Sequence, residues 1–305
     1  MPAAGNCQAV SVLLSRARCY NARVFLTASF WPIACEEGAR VVTAGLARQQ
    51  IEQYERDGVV FPVRVFSAAE AERFRAALDS LSERCGAGAI KRFDNLHLFF
   101  DWAYRLVTHG ALLDAVEGVL GPDILVEATV VFHKPPRDAS YVSWHQDSLY
   151  SGWHLTPSTS AWIALTPSRR ANGCMRVVPG SHSRGLLEHQ IIRDDPNLLN
   201  RRGERVEMNV EEAEAVDVVL RPGEMSLHHS NIVHGSNPNT SDEPRVGFIV
   251  RFVTNRTANR DRPMLRVRGR ADCSHLTLAK PPAHADPQTA FNAWRAFKLP
   301  KLSDE

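Results

Sequence analysis

The chain has 305 residues, 44% of them hydrophobic and 23% charged, with 36 basic against 34 acidic side chains and a net charge of +2. This composition excludes a disordered tail protein and a disulfide-stapled miniprotein, and it lacks the concentrated basic excess of a nucleic-acid binder. At about 150 residues per domain the length suggests roughly two domains, although all-β barrels and sandwiches run past about 200 residues as one.

Six cysteines (Cys7, Cys19, Cys35, Cys85, Cys174, Cys273) are scattered without a CxxC pair. A chain this size folds without staples, so free thiols in a reducing compartment are expected. No apolar run approaches the roughly 18 to 20 residues that span a bilayer, so a soluble, cytoplasmic protein with no membrane partner is expected.

In chain order, residues 1–35 carry no acid and three arginines, Arg16, Arg18 and Arg23. That composition is shared with organelle transit peptides. The preferred reading is a loosely ordered or misassigned extension, taken to cover residues 1–45. A helix is predicted over Leu46 to Asp57, stopped by Gly58, followed by a short strand at Val59 to Phe61. A second helix opens at Ser67, where Glu70 completes a capping box, and Phe74, Leu78 and Leu81 form its apolar stripe as far as Gly86. A third covers Leu112 to Leu120, before Gly121.

The texture then changes to short β-branched runs separated by Gly, Pro, Asn and Ser. Strands are predicted at Ile124–His133, Tyr141–Asp147, Ala161–Thr166, Met175–Val178, Ala215–Leu220, Met225–Val233 and Val246–Val253. Many short strands imply a sandwich or barrel, here with the early helices buttressing one β core.

Trp144-His145-Gln146-Asp147 carries the chemistry. On an extended backbone residues i and i+2 share a side, so His145 and Asp147 can converge. An imidazole nitrogen and a carboxylate oxygen suit Fe(II), Mn(II) or Zn(II). The triplet alone is common; a third ligand would be His234, 87 positions beyond Asp147 at the end of an apolar run. His228 and His229 are rivals, but only His234 has the His-Gly-Ser turn and an arginine, Arg245, eleven positions on. His97, His133, His182 and His189 read as structural. A guanidinium directed into a barrel demands an anionic partner, and it matches a carboxylate by two parallel hydrogen bonds.

With these residues in place, the sequence resembles the phytanoyl-CoA dioxygenase family of non-haem Fe(II)/2-oxoglutarate oxygenases. The likeness runs through QIEQYERDGVV, VVFHKPP, SWHQD, WIALTPSRRANGCMRVVPGSH and HGSNPN followed by Arg245. It implies a double-stranded β-helix, the jelly-roll core of cupin-like proteins, over residues 46–255, with residues 256–305 packing on the barrel. It implies that His145, Asp147 and His234 hold Fe(II) and that Arg245 holds the distal carboxylate of 2-oxoglutarate. Trp162, Ser236, Gln146, Lys91 and Val130 correspond to further co-substrate positions. The reaction implied is O₂-dependent hydroxylation of a small molecule, free or tethered to a carrier or CoA, with succinate and CO₂ as co-products. Desaturation or ring closure stays open, as does a non-catalytic acid-binding jelly roll, whereas the carboxylate of Asp147 disfavours halogenation. Tyr150, Trp153 and His154 are candidates for the substrate mouth.

Overall fold

The computed structural model describes residues 45–86, 91–151, 157–191, 196–199, 204–211, 213–257, 262–283 and 286–297. Residues 1–44 of the expected extension lie outside these, as do Trp153, His154 and the side chain of Tyr150.

The first helix, α1 (Arg48–Asp57), stops where the sequence predicts. Gly58 takes φ 74° and its amide donates to the Tyr54 carbonyl at 2.8 Å. A Cβ there would also meet His182 Nδ1 at 2.5 Å, so glycine is required twice over. Strand β1 (Val59–Arg64) follows, then α2 (Ala68–Arg84). The predicted capping box is present: Ser67 Oγ accepts from the Glu70 amide at 3.2 Å, and the Glu70 carboxylate accepts from the Ser67 amide at 2.8 Å. After β2 (Arg92–Asp94) come α3 (Asp101–Val107) and α4 (Gly110–Leu120). The first of these has no counterpart in the sequence reading, and the second begins two residues earlier than expected.

The β region contains β3 (Ile124–Lys134), β4 (Val142–His145), the short helix α5 (Ser148–Ser151), β5 (Ser158–Ala164) and β6 (Met175–Val177). It continues through β7 (His189–Ile191), β8 (Glu204–Val206), β9 (Val216–Val218), β10 (Glu224–His229) and β11 (His234–Ser236). Then come β12 (Arg245–Thr254), β13 (Leu265–Arg268) and α6 (Pro287–Ala296).

Seven strands form a major antiparallel sheet in the order β1-β10-β5-β12-β3-β13, with β2 also paired to β3. A minor antiparallel sheet runs β4-β11-β6-β9, and β7 pairs with β8. Alternation along β12 shows how the two faces of the major sheet are used. Val246, Phe248, Val250 and Phe252 join the core built with Phe74 and Leu78 of α2, Leu106 of α3 and Leu112 and Val116 of α4. Ile249 faces the other way, into a second core with Val130, Trp162, Met175 and Val177 that spans both sheets. The major sheet is therefore covered by helices on one face and by the minor sheet on the other.

Two predicted strands are corrected. Tyr141–Asp147 shortens to β4, which leaves Asp147 in the turn before α5. Met225–Val233 ends at His229, where the amide of Ile232 donates back to the His229 carbonyl and that of Asn231 to His229 Nδ1, closing a tight turn ahead of β11. On the C-terminal side, β13 pairs with β3, and Trp294 of α6 stacks on Phe93 and donates to the Asp94 carbonyl at 2.9 Å. Cys85, Cys174 and Cys273 are free thiols. Among the described residues no helix is long and apolar enough to cross a membrane.

Candidate metal centre

Strands β4 and β11 pair antiparallel with His145 directly opposite His234. Cross-strand neighbours share a face, so the register alone brings the two imidazoles together, with ring centroids 4.1 Å apart. Asp147, two residues on, turns its carboxylate to the same point. Its Oδ1 lies 3.7 Å from His145 Nε2, and one donor atom from each of His145, Asp147 and His234 falls within 4.8 Å of the others. All three residues are buried.

Surrounding groups fix the donors. Nδ1 of His145 faces the Ser143 carbonyl at 2.9 Å and Nδ1 of His234 faces the Ile232 carbonyl at 3.1 Å. Each backbone oxygen can hold only an N–H, which leaves Nε2 as the lone-pair donor. Asp147 Oδ2 accepts from Ser160 Oγ at 2.7 Å, and Oδ1 accepts from the Arg251 guanidinium at 2.8 Å. Burial acts to raise the acid's pKa, but the Arg251 charge and the neighbouring imidazoles outweigh it and hold the carboxyl well below its usual range. Burial, reinforced by the neighbouring His145 imidazole, keeps His234 far below the ordinary imidazole value. The site therefore presents two imidazole Nε2 atoms and one ionised carboxylate, a donor set suited to Fe(II) with coordination positions to spare.

His228 is a near neighbour of this cluster and not one of its three donors. Its Nε2 is 3.6 Å from Asp147 Oδ2, and its ring is 4.9 Å from that of His234. His229 turns away to accept the Asn231 amide.

Arg245 opens β12 and is 1% exposed. It donates twice to the Gly173 carbonyl, at 3.0 and 2.8 Å, and to Ser236 Oγ at 3.3 Å. Its guanidinium sits 5.2 Å from the centre of the Trp162 ring, and burial pulls its pKa down to about 10. Trp162, Ile249 and Val130 occupy one register across β5, β12 and β3 and form an apolar wall beside it.

Two other expected residues are held by protein partners. Gln146 donates to the carbonyls of Gly185 and Asn231 and accepts the Leu187 amide, so it ties loops to the turn that carries Asp147. Lys91 is engaged by Asp138 at 2.5 Å and Ser140 at 2.8 Å. A cavity of about 300 Å³ borders Ser236 and is lined also by Tyr141, Trp144, Asn197 and Arg205, but it touches none of the three donors. Convergence of ligand atoms locates the chemistry better than cavity size does.

Sequence reasoning missed Ser160 and Arg251, which hold the Asp147 carboxylate, and Lys134, whose ammonium donates to Ser236 Oγ. Arg251 and Lys134 left a signal: each is a cation on the strand parity that faces the second core.

Residues 54–247 match the family described as Phytanoyl-CoA dioxygenase (PhyH). The chain is 25% identical over 284 residues to the ectoine dioxygenase of Bordetella parapertussis, covering 84% of this chain and 87% of that protein. It is 30% identical over 171 residues to a Stutzerimonas stutzeri protein named as an alpha-ketoglutarate-dependent hypophosphite dioxygenase, covering 54% of this chain and 57% of its relative. Among solved structures, the non-heme monooxygenase ThoJ is 36% identical with a TM-score of 0.68, covering 81% of this chain and 93% of that one. A family match over residues 54–247 and three converging donors that could hold a metal ion agree: the chain belongs to the phytanoyl-CoA dioxygenase family and is an enzyme of the iron- and 2-oxoglutarate-dependent oxygenase class.

Proposed function

We propose that the protein hydroxylates a small organic molecule at the His145, Asp147 and His234 centre, with Arg245, Ser236 and Trp162 holding 2-oxoglutarate. The observation that carries this reading is the convergence of the three donors, with Arg245 buried beside Trp162 and Ser236. Ser236 lies two strand positions from His234, roughly 6 to 7 Å along β11. That separation suits a five-carbon diacid chelating the metal at one end and anchored at the other. The two antiparallel sheets enclosing this line are read as a double-stranded β-helix over residues 46–255, with residues 256–305 as a covering extension.

When bound, iron and 2-oxoglutarate supply O₂ activation: one oxygen atom enters a C–H bond of the substrate and the other leaves in succinate as CO₂ is released. The protein's own residues set the geometry. The Ser143 and Ile232 carbonyls fix the imidazole tautomers, while Ser160 and Arg251 fix the carboxylate of Asp147. Val130, Trp162 and Ile249 exclude water from the co-substrate. Hydroxylation is favoured over halogenation because the Asp147 carboxylate occupies the position a halide would need.

Succinate release from 2-oxoglutarate tests the reading. The wild-type protein with Fe(II) is expected to form succinate, faster in the presence of its substrate. Asp147→Ala is expected to lower the rate at least about a thousandfold while melting as a folded protein. Succinate formation that survives this substitution would refute the assignment.

A further inference from the structure

The face of the major sheet turned toward the metal centre has two ends. Arg245 stands at one, beside Ser236; Arg251, six residues further along β12 and roughly 20 Å away, stands at the other and holds Asp147 at 2.8 Å. Beyond Arg251 the pairing with β3 slips. Arg251 is opposite Ala128 but Phe252 is opposite Val126, so Glu127 is the extra residue of a β-bulge. Bulges re-aim side chains and are over-represented beside active sites. Here Val126 and Phe252 stay in the core shared with the helices, whereas the Glu127 side chain is 2% exposed and feels the charges of both Arg251 and Asp147. Its Oε1 accepts from Arg262 Nη1 at 3.2 Å. Among the described residues Glu127 Oε2 has no hydrogen-bond partner, and neither has Arg262 Nε, although both atoms are buried.

An unsatisfied buried acceptor and an unsatisfied buried donor are each costly, and a ligand group that donates to the first and accepts from the second removes both costs. We propose that Glu127 and Arg262 form the polar subsite for the substrate, in which Oε2 accepts from, and Nε donates to, a neutral hydroxyl or secondary amide. Held there, the substrate has a fixed C–H bond facing the metal. This inference rests on the functional reading above and adds the substrate class to it. A cationic substrate is disfavoured on two grounds. An ammonium has donors only and offers Arg262 Nε no acceptor. The charges are also already matched, Asp147 with Arg251 and Glu127 with Arg262, so a further cation would be buried in excess. Burial, the largest influence, pushes the Glu127 carboxyl up against the opposing charges of Arg251 and Arg262, as befits an acceptor that lacks its donor.

The test is succinate formation by the full chain with Fe(II), 2-oxoglutarate and O₂ in the presence of matched small molecules. Each hydroxyl or secondary amide compound, cyclohexanol and 2-piperidone among them, is set beside its O-methyl or N-methyl derivative and the corresponding ammonium compound. Members with the free donor are expected to raise the rate, and their methylated and ammonium counterparts to leave it within about twofold of the rate without addition. Glu127→Gln keeps an oxygen for Arg262 but turns an N–H toward the substrate. In this variant the KM of the best stimulating compound should rise about tenfold to a hundredfold, as loss of one charge-assisted hydrogen bond implies. Its calorimetric affinities for Fe(II) and 2-oxoglutarate should stay within about twofold of wild type. A carboxylate that served only the fold would give a lower melting temperature with all three constants weakened alike. That pattern overturns the proposal, as do an unchanged KM, equal stimulation by the methylated derivatives, stimulation by the ammonium compounds alone, or none by any donor-bearing member. Failure of both Glu127→Gln and Glu127→Met to fold would mark Glu127 as structural and also overturn it. Wild-type protein that forms no succinate even without an added compound would defeat the reading of the whole site, an outcome distinct from a failure confined to Glu127.

Discussion

At the scale of single residues, the metal centre depends on groups that touch no metal. Asp147 is poised by Ser160 on one oxygen and by Arg251 on the other, so each partner restricts how the carboxylate can rotate. Outer partners of this kind typically change metal affinity ten- to a hundredfold when removed. Ser160→Ala and Arg251→Met are each expected to weaken Fe(II) binding by about that factor, measured by competition with a chelator of known affinity. Arg251→Met should have the larger effect because it also removes the charge that keeps the buried carboxylate ionised. Unchanged affinity in both variants would mean that the turn holding Asp147 suffices by itself.

Element-scale design is clearest in β12, which serves three purposes by alternation. One face, through Val246, Phe248, Val250 and Phe252, anchors the helical layer. Arg245, Ile249 and Arg251 on the other face meet Ser236, the apolar wall and the Asp147 carboxylate in turn. Gly247 shares that second face because nothing larger fits: a Cβ there would lie 2.1 Å from Cζ2 of the Trp162 ring. Gly247→Ala must therefore displace the indole. Because small misplacements at a reacting centre are expensive, it is expected to raise the KM for 2-oxoglutarate on the order of tenfold to a hundredfold, with metal binding preserved. A KM unchanged within twofold would show that the indole is not part of the co-substrate wall.

The same strand shows what a sequence can and cannot reveal. His145 and Asp147 are close in the chain, and His234 with its spacing to Arg245 carries a local signature, so those four stand out. Predicting a strand through Asp147 reached the right convergence by a wrong route, since the residue sits in a turn. Lys134 gains meaning only from its register against Arg245, and Ser160 only from the fold of β5 toward Asp147. Such pairings are long-range and leave no periodicity to read. The helix α3 was missed because Asp101 to Val107 is short, and its burial of Ala103, Leu106 and Val107 follows from tertiary packing.

Across the whole molecule, the chain beyond the matched family region is bound to the core through specific contacts. Trp294 stacks on Phe93 and approaches Phe100, and Phe297 meets Phe99 edge-on. Arg84 of α2 also donates to the Pro287 carbonyl at 2.9 Å. Deleting residues 286–305 is expected to lower the melting temperature by about 5 to 10 °C through exposure of these aromatics, with the metal centre intact because its donors lie on β4, β11 and the turn before α5. An unchanged melting temperature would show that α6 contributes nothing to stability. The claim beneath all of this is that a single ferrous ion is held by two imidazoles and one carboxylate brought together from distant parts of the chain. Anaerobic calorimetric titration with Fe(II) measures it most directly. One equivalent should bind per wild-type chain, and none at the same concentrations to folded His145→Ala, Asp147→Ala or His234→Ala. Full-affinity, one-to-one binding by any of these three variants would contradict the account.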